Sequence, residues 1–154
     1  MNSYTIRRLQ AGDLQHGFFE TLAGLTTVGE VNLEKARRVY EEITRAKIFG
    51  NPIYNTFVAV ADSSKVIGTG TLIVEQKFIR SLGKVGRIED LVVRPECQNK
   101  GIGTAIMRRL EYEAERRGCY KVVPTTRSSN IAQWYESIGY RIHGSELRKE
   151  LPSN

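Results

Sequence analysis

At 154 residues, 40% hydrophobic and 26% charged, the chain has the size and composition of one globular domain, residues 1–154, with no room for a second. No apolar run approaches the roughly 18 residues of a membrane span and the opening residues lack a secretory leader, so a cytoplasmic protein without a membrane partner is expected. The net charge of +6 suits an anionic substrate or cofactor, whereas nucleic acid is not expected, because the basic residues are scattered and not interleaved with aromatic ones.

Tyr4 to Arg8 alternates as a short strand, and Gly12-Asp13 then introduces a helix with Leu14, Phe18, Leu22 and Leu25 on one stripe. A second helix is capped by Asn32, buries Leu33, Ala36, Tyr40, Ile43 and Ala46, and must end before Asn51-Pro52. Tyr54 to Ala61, a turn at Asp62–Lys65, and Val66 to Val74 read as a hairpin. Gly83-Lys84 opens a strand running through Glu89 and Asp90 to Val93. A polar turn and a long amphipathic helix follow, the latter carrying Ile102, Ala105, Ile106, Leu110 and Ala114 and ending at Arg117-Gly118. Next come a strand from Tyr120 to Thr125, a helix from Asn130 to Ile138 and a last strand from Tyr140 to Leu151. Pro124 cannot donate to a ladder, so it marks a sheet edge or the place where two strands part. The order β-α-α-β-β-β-α-β-α-β predicts an α/β chain of the α+β type, a mixed central sheet flanked by helices.

The turn before the long helix is the most informative segment. Its glycines, Gly101 and Gly103, open a helix whose first-turn N–H groups have no intrahelical acceptor, and such donors attract an anion. Glycines there also serve packing. The residues after them, Ile102 and Thr104, lack the lysine of a nucleotide-triphosphate loop, and no carboxylate ends the next strand as a dinucleotide site requires. Cys97 and Cys119 form neither a metal spacing nor a disulfide framework, so reduced thiols and no metal site are expected.

Gln98-x-x-Gly101-x-Gly103 fits the Q/R-x-x-G-x-G/A signature, and on it the chain resembles the GCN5-related N-acetyltransferases. The resemblance implies acetyl-CoA as cosubstrate, held by Leu91, Val92 and Val93 of the strand, by Gln98, Asn99, Lys100, Gly101, Ile102, Gly103 and Thr104 of the turn, and by Asn130 and Tyr135. It also implies that the strand before the turn and the next one run parallel and splay apart, leaving a cleft for the pantetheine arm.

Over most of its length the chain further resembles the eukaryotic glucosamine-6-phosphate N-acetyltransferases, through Tyr4-x-Ile6-Arg7-Arg8, Gly12-Asp13-Leu14, Leu25-Thr26-Thr27-Val28-Gly29, Ile88-Glu89-Asp90, Gly118-Cys119-Tyr120-Lys121 and Trp134-Tyr135-Glu136-x-x-Gly139-Tyr140. That resemblance implies acetylation of the 2-amino group of glucosamine 6-phosphate by a homodimer whose last strand and loops complete the partner's sugar site. Catalysis would fall on Tyr135, beside the thioester sulfur, on Glu89 as proton acceptor, and on the Leu91 N–H, which polarises the acetyl carbonyl. Substrate would be held by Thr26, Lys77, Phe78, Ile79, Arg80, Glu89 and Asp90, with Arg148 as the basic residue of the last strand.

Each residue also has a plainer reading. Tyr135 suits a core tyrosine, Glu89 and Asp90 a strand-edge pair whose side chains point to opposite faces, and Lys77 and Arg80 solvated loop charges. Thr125 stands where family members carry an acid, so the amine-orienting carboxylate is missing and the substrate contact there falls to a hydroxyl. The rival activities are acetylation of another amine, with basic Lys77, Arg80 and Arg148 favouring a phosphorylated acceptor over a polyamine, and a CoA-binding or nucleic-acid-binding module without catalysis.

Overall fold

The first strand, β1 (Tyr4–Arg8), is the edge of a five-stranded sheet, and a 3-10 turn at Ala11–Gln15 and the helices α1 (Phe18–Leu22) and α2 (Leu33–Arg45) follow it. A separate ribbon of β2 (Lys47–Ile48) and β3 (Asn51–Pro52) precedes the long hairpin of β4 (Tyr54–Ala61) and β5 (Val66–Gln76). A single turn, α3 (Ile79–Leu82), leads into β6 (Lys84–Val93), and α4 (Ile102–Arg116), β7 (Cys119–Pro124) and α5 (Ser129–Ser137) complete the order. The sheet runs β1-β4-β5-β6-β7, antiparallel except for the parallel pair β6–β7 that α4 connects. This computed structural model describes residues 3–126 and 128–152, which gather into two compact units, one ending at Pro124 and one beginning at Thr125.

In the first unit the apolar spacing of α4 decides where the core lies. Ile102, Ile106, Leu110 and Ala114 recur every fourth residue and are buried, with Met107 beside them. Beneath them, Gly68 and Gly70 of β5 leave no room for a side chain. A Cβ would come within 2.9 Å of Ile106 Cδ1 at the first and 3.0 Å of Leu110 Cδ1 at the second, so the glycines let the helix settle on the strand. Val58, Val60 and Val66 form a second cluster against Leu9 and Phe18. The successive residues Phe57 to Val60 are all buried, as a strand covered on both faces requires.

The buried stripe of α4 also contains a charge that the apolar pattern conceals. Glu113 is fully buried, and its Oε1 accepts from Arg8 Nη2 at 2.9 Å and Arg117 Nε at 3.0 Å. Arg8 and Arg117 each donate to Asn55 Oδ1 at 3.1 Å, so the network ties β1, β4 and the end of α4. Burial pushes the Glu113 carboxyl up, but the arginine hydrogen bonds and charges outweigh it and leave the group below its ordinary value.

Three sequence expectations need correction. The single helix expected after Gly12-Asp13 is divided, because Gly17 adopts φ +94 between the 3-10 turn and α1. Asn32 does cap α2, its side chain accepting from Lys35 N at 2.9 Å, yet the expected buried stripe is not buried. Leu33 and Ile43 are exposed and only Ala36, Tyr40 and Ala46 are partly covered, since α2 rests on the 3-10 turn instead of the sheet. The last strand is absent among the described residues: 141–152 are exposed, Gly144 has φ +82, and no ladder partner is present.

Candidate active site

β6 pairs with β7 from Lys84 opposite Cys119 to Ile88 opposite Pro124, and there the parallel ladder stops. Pro124 has no N–H to offer, and among the described residues 89–93 have no partner on that side. The parallel ladder thus ends at the proline that sequence reading marked as a sheet edge or a parting point. On its other side β6 stays paired, but with an irregularity. Glu89 faces Thr71 and Val92 faces Thr69, so Asp90 and Leu91 together stand opposite Gly70. This is a bulge, with Asp90 at φ +53 supplying the left-handed residue that aspartate tolerates better than most. The expected simple alternation of Glu89 and Asp90 is therefore interrupted. Asp90 is exposed, Glu89 is half-buried, and Leu91 is turned so that its Cδ1 lies where a Gly70 side chain would be.

Past Val93 the chain makes a 3-10 turn at Pro95–Cys97 and reaches Gln98, whose Nε2 donates to Val93 O at 2.9 Å and ties the turn to the strand end. Asn99 and Gly101 both have positive φ, +59 and +79. Gly101 caps α4 without a side chain, no acid occupies the first turn, and Lys100 Nζ donates to Glu96 O at 2.9 Å. Ile102, Gly103 and Thr104 thus open a helix of 15 residues with no side-chain cap, where the dipole favours an anion. These residues suit a pyrophosphate: their donors are backbone groups, and a Cβ at Gly101 would meet nothing within 4 Å, so the approach is open.

The other residues of this unit that were predicted to hold substrate fall in two places. Thr26 follows α1, its N–H donating to Leu22 O at 3.3 Å, and is exposed. Lys77, Phe78, Ile79 and Arg80 form the tip between β5 and β6, at the end of β6 away from the turn. That tip is unusual. Arg80, Ser81 and Leu82 all have positive φ, at about 1–2 kcal/mol each for L-residues, and Gln76 Nε2 holds the turn by donating to Leu82 O at 2.7 Å. Phe78 is 95% exposed, and Arg80 lies 5.7 Å from the centre of the Tyr120 ring. Lys77 is committed to Glu75, which also accepts from Arg87 Nε at 2.7 Å; hydrogen bonds from Lys77 and Arg87 hold that carboxyl below its ordinary value.

The second unit contains the remaining predicted residues. Tyr135 is buried on α5, its ring 4.8 Å from Trp134 and 5.5 Å from Tyr140, which fixes its orientation. Asn130 is exposed in the first turn of α5, Thr125 is exposed ahead of it, and Arg148 is exposed and paired with Glu150. Sequence reading missed the bulge at Asp90 and the left-handed tip. Neither Asp90 nor Arg80-Ser81-Leu82 contains the glycine that normally announces such backbone.

The profile of the acetyltransferase (GNAT) family matches residues 19–140. Glucosamine 6-phosphate N-acetyltransferase of Candida albicans is 36% identical over 144 residues, covering 94% of this chain and 93% of that protein. The Arabidopsis thaliana protein of the same name is 34% identical over 147 residues, 96% of each. The crystal structure of glucosamine-6-phosphate N-acetyltransferase from Arabidopsis thaliana superposes with a TM-score of 0.90 at 32% identity, covering 97% of this chain and 99% of that one.

Proposed function

Since this chain belongs to the acetyltransferase (GNAT) family, we propose that it moves the acetyl group of acetyl-CoA to the 2-amino group of D-glucosamine 6-phosphate. The product, N-acetylglucosamine 6-phosphate, leads toward UDP-N-acetylglucosamine. The observation that carries the substrate is similarity at 30–36% identity, over 90–97% of this chain, to several proteins named for that activity. Two free thiols, Cys97 and Cys119, accord with work in the reducing cytoplasm.

Acetyl-CoA supplies the acyl thioester. The backbone of Gln98 to Thr104 holds the pyrophosphate, and Leu91, Val92, Val93 and Asn130 border the arm. The bulge interrupts the ladder at Leu91, whose N–H is assigned to the acetyl carbonyl, where negative charge grows during attack. Glu89, half-buried on the same strand, accepts the proton of the amine, which must be neutral to attack. Tyr135, locked between Trp134 and Tyr140, gives a proton to the departing sulfur. Asp90, Thr26 and Thr125 orient the sugar. Glu89→Gln is expected to be severely slowed at neutral pH and partly rescued as pH rises and more amine is already neutral; a full rate across about pH 6 to 9 would remove Glu89 from this role.

The phosphate requires a second copy of the chain. From Gly83 to Leu91 the strand rises about 3.3 Å per residue, so the basic tip stands roughly 25 Å from the reacting centre of its own protomer. A hexosamine phosphate cannot span that. Phe78, Ile79 and Leu82, exposed around Arg80, suit insertion into a homodimer partner, where Arg80 reaches the phosphate and Arg148 assists from the last segment.

The test is a panel of amines with acetyl-CoA, followed by thiol release: glucosamine 6-phosphate, glucosamine, spermidine, an aminoglycoside and a peptide. Glucosamine 6-phosphate should be by far the best acceptor. Equal use of glucosamine would remove the phosphate site, and preference for spermidine would overturn the substrate altogether.

A further inference from the structure

Arg94 separates the end of β6 from the cofactor turn, and it is buried although no carboxylate holds it closely. Glu96 Oε1 stands 3.8 Å from Nη1 and is mostly exposed. What holds the guanidinium is neutral. Nε donates to Thr21 Oγ1 at 3.0 Å and to Val66 O at 2.9 Å, and Nη2 donates to Gly17 O at 3.0 Å. The Thr21 hydroxyl lies 2.8 Å from Gly17 O and 2.9 Å from Val66 O, so its proton serves the same two carbonyls. Gly17 suits glycine here because its φ is +94, and a Cβ would also crowd Arg94 Nη2 at 2.9 Å and Val66 O at 3.2 Å.

The backbone of the same residue faces the other way. Arg94 N donates to Ile67 O at 2.9 Å and Arg94 O accepts from Cys97 N at 2.8 Å, within the turn itself. The continuation of α1 rests on this junction too, since a Cβ on Gly24 would stand 3.5 Å from Val92 Cγ2 and 4.0 Å from Pro95 Cδ. A buried cation satisfied by carbonyls is a costly way to fill space, and an apolar side chain would stabilise the core at least as well. Its reach is what an apolar residue lacks: one planar group joins both ends of α1 and the start of β5 to the first residue of the turn.

We propose that Arg94 is a positioning residue for acetyl-CoA, fixing residues 95–101 to α1 so that the first-turn N–H groups of α4 stay aimed at the pyrophosphate. The inference rests on reading that turn as the acetyl-CoA site. Arg94 need not touch the ligand.

Calorimetry with CoA and rates with two donors test it. S-acetylpantetheine has the acyl arm and no pyrophosphate, so it reports everything except the turn. Arg94→Met should weaken CoA about tenfold and Thr21→Val, which removes the bridging hydroxyl and leaves β6 untouched, about threefold. Arg94→Lys should fall between wild type and Arg94→Met. In each variant kcat/KM should fall for acetyl-CoA and hold within about twofold for S-acetylpantetheine, with glucosamine 6-phosphate as acceptor. Loss in equal proportion for both donors, or unchanged CoA affinity in folded Thr21→Val and Arg94→Lys, overturns the proposal. If Arg94→Met does not fold, the other two variants decide. Calorimetry needs no acceptor, so a wrong acceptor assignment leaves the result for Arg94 standing.

Discussion

The segment β6–turn–α4 and the segment after Thr125 do their work by opposite means. In the first, strand, turn and helix are consecutive, and each is pinned within its own unit: Gln98 to Val93, Arg94 to α1, and the α4 stripe to Gly68 and Gly70. In the second, α5 orders one buried ring, Tyr135, and the chain beyond Tyr140 is exposed with Leu147 and Leu151 uncovered. A cofactor cradle can be written into contiguous sequence because its donors are backbone N–H groups. An acceptor pocket needs side chains from distant places, and under the proposed function some of them come from another protomer.

The largest effect should come from the second segment. If Tyr135 acts on the leaving sulfur, Tyr135→Phe lowers turnover by about 10²–10⁴ with CoA affinity unchanged. The ring packing survives the substitution, so a stopped-flow or steady-state rate equal to wild type would reduce Tyr135 to a core residue and erase the contrast. Glu113→Gln tests the first segment through stability. Removing a buried partner of three arginines should cost about 3–5 kcal/mol in urea unfolding at neutral pH, and a change under 1 kcal/mol would mean the network contributes nothing. Because the native Glu113 carboxyl titrates below its unfolded value, its contribution is full above the unfolded value and is lost as pH falls through the native one. The variant should therefore show a shallower loss of stability in acid than wild type.

What the sequence revealed follows the same division. The strand ending at Val93, the end of the parallel ladder at Pro124 and the helix opening at Gly101 were legible because period, proline and glycine act locally. The α2 stripe was misread, since the amphipathic spacing of Leu33 and Ile43 states that a face is apolar and not what covers it. The strand expected over 140–151 failed for the same reason: residues of strand character form a strand only beside a neighbour. Glu113 was invisible because its place in an apolar stripe gives no hint that Arg8, 105 residues away, meets it.

A smaller effect separates affinity from rate. Gly101 needs its positive φ and nothing else, since a Cβ there meets open space. Gly101→Val should then cost about 1–2 kcal/mol of local strain, appearing as roughly tenfold weaker CoA binding with turnover at saturation largely kept. Unchanged affinity by calorimetry would detach the turn from the cofactor.

The subtlest signal comes from mixing protomers. Lys77 is occupied by Glu75, so if the tip binds the phosphate the contact falls to Arg80, and Arg80→Ala should then narrow the preference for glucosamine 6-phosphate over glucosamine by about tenfold. If Arg80 serves the site of the other protomer, Arg80→Ala and Tyr135→Phe damage different copies of the same composite site. A mixed dimer then contains one site with both defects and one with neither. Equal amounts of the two variants, unfolded together and refolded, give mixed dimers as half the population, so about a quarter of wild-type activity should return from two proteins that each retain about a tenth or less of it. Under glucosamine 6-phosphate well below KM the recovery should be clearest, because there Arg80 governs the rate. No recovery above the sum of the two separate variants, with dimers verified by sedimentation, would place Arg80 outside the partner's site. The exposed tip would then need a different purpose.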